Sequence, residues 1–197
     1  MRNFLIPKFP VSQMPAMLGY AALGALVAGL YGVVHDEITY SISPEYFTRL
    51  KFLQFHYADF GFSPRVFVAE IGFLATWWVG FIVGWFLARV AVPSFPPAKV
   101  RLHCFGGFAI IVACAFAASV MGSGLGLLRG PTADLSAWQG FVSANGVVDL
   151  PRFVRVAYIH NASYLGGLIG LVVALIRLRR LKRPGEGDPN LQSKKET

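Results

Sequence analysis

Residues 15–34 read PAMLGYAALGALVAGLYGVV, twenty consecutive positions without a charged side chain. At the α-helical rise, twenty residues cover roughly 30 Å, the thickness of a bilayer's hydrocarbon core. The stretch is too long for the apolar region of a cleaved signal peptide, so it reads as an uncleaved anchor. Small residues recur along it every fourth position: Gly24, Ala28 and Gly32 in one stripe, Ala21, Ala25 and Gly29 in another. In lipid, such stripes let two helix backbones approach closely.

Three more segments of this kind follow. Ser63-Pro64 has the form of a cap followed by proline at the first helical position. The run behind it, VFVAEIGFLATWWVGFIVGWFLARV, ends near Arg89 and contains the small pair Gly80 and Gly84. Its Trp77, Trp78 and Trp85 read as lipid-facing or packed aromatics. The connector VPSFPPAK cannot continue that helix. A third span follows, ending in the glycine-rich MGSGLGLL, which reads as a frayed or unwound helix end. GSGLG is no phosphate loop, because neither a preceding strand nor a closing Lys-Ser pair accompanies it. Asp149 and Pro151 open a fourth span with a GxxxG face at Gly166 and Gly170, stopped by Arg177, Arg179, Arg180, Lys182 and Arg183. The expected fold is therefore an all-α polytopic membrane protein with transmembrane helices over about 15–35, 64–89, 102–126 and 150–177. Residues 1–183 form one domain, and the polar stretch 184–197 reads as a disordered tail.

Composition agrees. Of 197 residues, 55% are hydrophobic and only 14% charged, against about one quarter charged in a soluble domain. The net charge of +8 suggests nucleic acid until it is mapped. Twelve of the eighteen Lys and Arg lie in the N-terminal arm, the 89–101 connector and the C-terminal tail, facing only Glu186, Asp188 and Glu196. Basic segments stay on the cytoplasmic side, so both termini are expected inside, and no nucleic-acid partner is needed. The partners expected are the lipid bilayer, and further copies or other membrane proteins through the small-residue stripes. Cys104 and Cys114 lie ten residues apart on one helix, about 15 Å, too far for a disulfide.

The segment after the first span reads HDEITYSISPEYFTRLKFLQFHYADFGFSP. Ser43-Pro44-Glu45 starts a helix, and Tyr46, Leu50, Leu53 and Tyr57 recur at helical spacing. That predicts an amphipathic interfacial helix over about 44–55, a lid over the bundle ends. The string His35-Asp36-Glu37-Ile38-Thr39, followed by Glu45-Tyr46-Phe47-Thr48, resembles a group of uncharacterised four-span bacterial inner-membrane proteins with HDxxT and then EYFT after the first span. The resemblance implies the inner membrane of a bacterium. It carries no activity and no catalytic residue, and it is confined to residues 35–48 and the four-span layout.

Counting about twenty residues back from the basic helix ends puts His35, Glu70 and His160 at one depth near the outer boundary. Asp36, Glu37 and Glu45 lie just outside, and Asn161 and Tyr164 close by. Glu70 is the only acid within any expected span, and an ionisable group there faces protein or water by default. His160, His35, Arg65 and Arg155 are its candidate partners. The plain reading is a structural tie between helix ends. A sharper one is a divalent transition-metal site on His35, Glu70 and His160, its shell completed by the outer acids. A third is bis-histidine haem ligation by His35 and His160. His56 and His103 lie away from this depth, and no Ser/His/Asp or Cys/His arrangement suggests a nucleophile.

Three function classes follow. The small-residue stripes favour a structural or accessory subunit of a membrane assembly. The outer cluster favours a metal- or haem-binding enzyme or electron carrier. Glu70 as a titrating group favours an ion- or proton-linked transporter, though no charged residue continues a path through the inner half of the spans.

Overall fold

The computed structural model describes residues 10–129 and 134–181, and the expected tail over 184–197 lies outside them. All regular structure among the described residues is helical. Four long helices, α1 (Met14–Ile42), α2 (Pro64–Ala91), α3 (Pro97–Arg129) and, after the short α4 (Ser136–Asn145), α5 (Leu150–Leu181), carry the chain. The four long ones are apolar and long enough to cross a bilayer, and only 28–33% of each best apolar window is buried inside the molecule. Apolar residues left outside fall in stripes, such as Leu26, Leu30, Val34 and Ile38 on α1. That surface suits lipid rather than water. The chain is a multi-pass membrane protein.

The helices associate as two pairs, α1 with α2 and α3 with α5. Glycine makes both contacts. A Cβ on Gly32 would meet the Gly72 carbonyl, one on Gly24 the Gly80 carbonyl, and one on Gly84 the Tyr20 carbonyl. In the second pair, Gly166 packs against Cys114 and Ala115, Gly170 against Ile111, and Gly122 against Tyr158 and Ala162. Thr76 Oγ1 donates across the first pair to the Ala28 carbonyl at 2.8 Å. Only a small residue permits such an approach in lipid, where packing rather than water exclusion drives association.

The pairs meet mainly at their two ends. At the end bearing the 43–63 segment, Tyr46 and Phe47 pack with Val68, Phe153, Val154 and Ala157. At the opposite end, Leu87, Ala91, Val100, Cys104, Ala174 and Leu178 form a second cluster.

Four expectations change. First, α1 does not stop near residue 35 but continues through HDEITYSI to Ile42. Thr39 and Ser41 hydroxyls bond back to the His35 and Glu37 carbonyls at 3.0 Å each, so the polar residues extend the helix rather than end it. Second, MGSGLGLL stays helical to Arg129. Two of its glycines are contact residues, since a Cβ on Gly122 would strike the Tyr158 carbonyl and one on Gly126 the Arg155 side chain, while Gly124 has nothing within 4 Å. Third, the 44–55 region is helical as Pro44–Tyr46, a π-type turn over Phe47–Lys51, and Phe52–Gln54. Of the expected stripe, Tyr46 is buried and Leu50 packs on the same cluster, but Leu53 and Tyr57 are exposed, and Phe47, off the stripe, is buried. The wider turn shifts the register that an ideal 3.6-residue spacing assumes. Fourth, the short α4 stands between the expected spans 102–126 and 150–177, where no helix was expected. Leu135, Trp138, Phe141 and Val142 pack on the Tyr46–Phe153 cluster, and Gly146 closes the helix with φ +64°.

Caps also sort themselves. Asp149 Oδ1 accepts the Arg152 amide at 3.1 Å, as an N-cap should. Ser63 makes no side-chain cap bond. Cys104 and Cys114 are free thiols.

Candidate functional site

The extension of α1 brings an acid inward. Gly29, Gly32, Asp36 and Thr39 are all buried on α1, so Asp36 shares the face that the glycines turn toward protein. From α5, His160 reaches the same point. Its Nε2 lies 3.2 Å from Asp36 Oδ1, and the two side chains are only 4% and 7% exposed. The His160 Nδ1–H donates to the Val156 carbonyl at 3.0 Å, which fixes the ring on its own helix. Tyr46 stacks on one side of this imidazole with centroids 4.9 Å apart. His35 meets it edge-on at 4.8 Å. Donor atoms of His35, Asp36 and His160 all lie within 4.8 Å of one another.

Glu70 is not part of this group. Gly72 sets the face that α2 presents to α1, and Glu70, two residues earlier, points about 200° away from it. It lies on the same side as Trp77, which is 42% exposed. Its Oε2 is buried without a hydrogen-bond partner among the described residues. Three of the four partners proposed for it are engaged elsewhere, and the fourth, His35, lies against the His160 ring. His160 holds Asp36, Arg65 pairs with Glu37 at 2.7 Å, and Arg155 donates to the Ser123 hydroxyl at 2.8 Å. Asp36 therefore takes the place in the cluster that the sequence assigned to Glu70. The remaining candidates disperse. The Glu45 carboxylate accepts the Val148 and Asp149 amides, tying the 44–54 run to the start of α5. Asn161 is exposed, and Tyr164 borders the cavity described next while 55% exposed. His56 bonds the Leu53 carbonyl, and His103 packs on Phe95.

A half-open cavity of about 600 Å³ runs between the two helix pairs. Its walls are almost wholly apolar, from Val83, Phe108, Ile111, Val112, Leu168 and Leu171 among others. One end is polar: His35, Asp36, His160, Lys51 and Tyr164 border it there. Tyr31 and Ser163 line it one turn further in, joined by a 2.9 Å hydroxyl bond between α1 and α5. Burial pushes the Lys51 ammonium below its ordinary value, and the facing Asp36 partly offsets this. Burial likewise raises the Tyr46 phenol, so it stays protonated.

Sequence reasoning missed Lys51, Tyr31 and Ser163. A signal existed: Tyr31 and His35 are four apart, and His160, Ser163 and Gly167 recur at helical spacing. The haem reading does not fit. An iron between two imidazoles would hold their centroids about 6 Å apart, given metal–nitrogen bonds of ~2 Å, whereas these rings touch edge-on at 4.8 Å.

The sequence matches no family model, no curated protein and no solved structure. Fold and site together define a class only, a polytopic helical membrane protein with an amphipathic cavity between its helix pairs.

Proposed function

We propose that this protein is a binding protein of a bacterial cytoplasmic membrane, which takes a bilayer-soluble amphipathic molecule between its helix pairs. The observation that carries this reading is the cavity of about 600 Å³, apolar along its length and polar at one end. Its volume falls within the roughly 300–1,000 Å³ usual for small-molecule sites. A long acyl or isoprenoid chain suits the apolar walls. Asp36 as acceptor and Lys51 and Tyr164 as donors suit a compact oxygen-bearing head, such as a hydroxyl or carbonyl. The excess of Lys and Arg in the termini and the 89–101 connector favours a cytoplasmic position for the opposite end, which puts the polar end toward the outer leaflet. Residues 35–48, which resemble the bacterial four-span group, supply His35, Asp36 and the aromatic cover over His160.

The small-residue stripes that favoured partner subunits are taken up by contacts within the chain. Glu70, on which a transport reading depended, lies off the cavity wall. Native mass spectrometry of protein extracted in mild detergent tests the proposal. The expected result is a retained amphipathic adduct that Gly167→Phe removes. Gly167 borders the cavity, and nothing lies within 4 Å of its would-be Cβ, so a ring fits there without backbone strain. Absence of any adduct, together with no uptake of a fluorescent long-chain alcohol by the wild type, would sink the reading.

A further inference from the structure

His160 offers its two ring nitrogens to two acceptors. Nδ1 faces the Val156 carbonyl at 3.0 Å, and a carbonyl oxygen only accepts, so Nδ1 carries the proton. Nε2 faces Asp36 Oδ1 at 3.2 Å, and an ionised carboxylate also only accepts. A positive centre must therefore sit between Nε2 and Oδ1. A second imidazole proton, a proton on Asp36, or a metal ion would each satisfy that line.

His35 distinguishes among them. Its Nε2 is buried and finds no hydrogen-bond partner among the described residues, although its ring lies against that of His160. Leaving a buried polar nitrogen unmatched is unfavourable. A proton between His160 and Asp36 does nothing for it. A cation bound by all three residues gives that nitrogen a partner and also joins His160 to Asp36. The Nδ1–H to carbonyl bond of His160 is also the tie that typically orients a metal-bound imidazole.

We infer that His35, Asp36 and His160 form a binding site for a divalent transition metal, open on one side to the cavity. Two imidazoles and one carboxylate suit zinc, iron, manganese or cobalt, with one or more positions left for water or a ligand oxygen. With bonds of about 2.0–2.2 Å, tetrahedral neighbours stand about 3.3–3.6 Å apart. The widest pair here, at 4.8 Å, therefore closes inward when an ion binds. The groups facing the site from its surroundings are Lys51, Tyr46, Phe47, Tyr31 and Tyr164. Lys51 is the one cation among them and opposes the ion. The cavity proposal is independent, since the test below uses metal ions alone.

The experiment is metal titration of chelator-stripped protein in mild detergent with zinc and with cobalt. The expected result is one stoichiometric ion per chain, with visible cobalt bands of a four- or five-coordinate nitrogen–oxygen site. His35→Ala should weaken binding by at least about tenfold. That imidazole makes no hydrogen bond through its buried nitrogen, so its loss breaks no polar tie between the helices there. Asp36→Asn should weaken binding at least as much. Substoichiometric uptake by the wild type overturns the inference. So does unchanged affinity in both variants. Nitrogen-15 histidine NMR of the wild type gives a check without mutation: a His160 imidazolium that persists in saturating zinc also overturns it.

Discussion

Replacing Asp36 separates the geometry of the His160 contact from the mere presence of a polar group. In chelator, with no ion competing, His160 Nε2 needs a partner at 3.2 Å in a place where both side chains are more than nine-tenths buried. Asp36→Ala removes that partner. An orphaned buried nitrogen costs about 1–3 kcal/mol, and breaking an ionised buried pair costs about 3–5 kcal/mol. Asp36→Asn keeps the shape and brings an amide N–H. The Nδ1–H tautomer that Val156 enforces leaves Nε2 free to accept it, so the Asn variant should lose less than about 1 kcal/mol. The expected gap between Ala and Asn is thus roughly 2 kcal/mol or more for an ionised pair and about 1–2 kcal/mol for a neutral one. Reversible unfolding in mixed micelles, titrated with a denaturing detergent, measures it directly. Equal losses for the two variants, or none for either, would show that the tautomer argument and the site built on it are mistaken.

Further outcomes follow from neighbouring residues. Gly72→Leu, whose Cβ would collide with the Gly32 carbonyl, should destabilise α1 against α2 by about 1–3 kcal/mol. Gly19→Leu, with nothing within 4 Å, should be neutral in the same micelle titration. Lys51→Met should raise the melting temperature at neutral pH, because burial lowers the ammonium's folded-state pKa and so penalises its charged form. The penalty is full below the folded value and disappears as pH climbs to the ordinary lysine value near 10.4, so the gain should shrink over that window; a gain that grows with pH would contradict the burial argument. The same variant should tighten zinc binding, since it removes the opposing cation. Glu70→Gln should leave zinc stoichiometry unchanged, and loss of the ion in this variant would return Glu70 to the site.

The spans were legible because length and lack of charge suffice to read them. The helix starts at Pro64 and Leu150 were legible too, but the far end of α1 was not, because charge was taken as a boundary. His35-Asp36-Glu37 looked like the start of a loop, yet two further turns of helix carry those charges, with Arg65 and His160 as their counterparts. The same rule misplaced the emphasis on Glu70. Counting depth along the helix identified it as intramembrane, but depth says nothing about direction around the axis. The glycines would have settled direction, since Gly32 and Asp36 are one turn apart and share the protein-facing side of α1. The α4 helix was hidden by its Gly, Ser and Asn content, although Leu135, Trp138, Phe141 and Val142 carry a helical period.

Glycine placement also explains why a cavity exists at all. Two helices in lipid adhere where their backbones can touch, and neither gains from excluding water along the way. Gly24, Gly32, Gly72, Gly80 and Gly84 all lie at the α1–α2 contact, and Gly122, Gly166 and Gly170 at the α3–α5 contact. Between the pairs stand larger residues, among them Tyr31, Phe108, Ile111 and Leu171. Each pair therefore zips along its length, while the pairs are held apart in the middle. They join at one end through Tyr46, Phe47 and Asp36–His160, and at the other through Leu87, Cys104 and Leu178. A gap clamped at both ends and walled by apolar side chains is where lipid-soluble matter can enter from the side. The single polar end of that gap is where the chain spends its buried acid and two of its four histidines. A structural tie alone would need one such pair. The third donor, His35, is the residue that the tie leaves without work, and its unmatched nitrogen turns a helix clasp into a site.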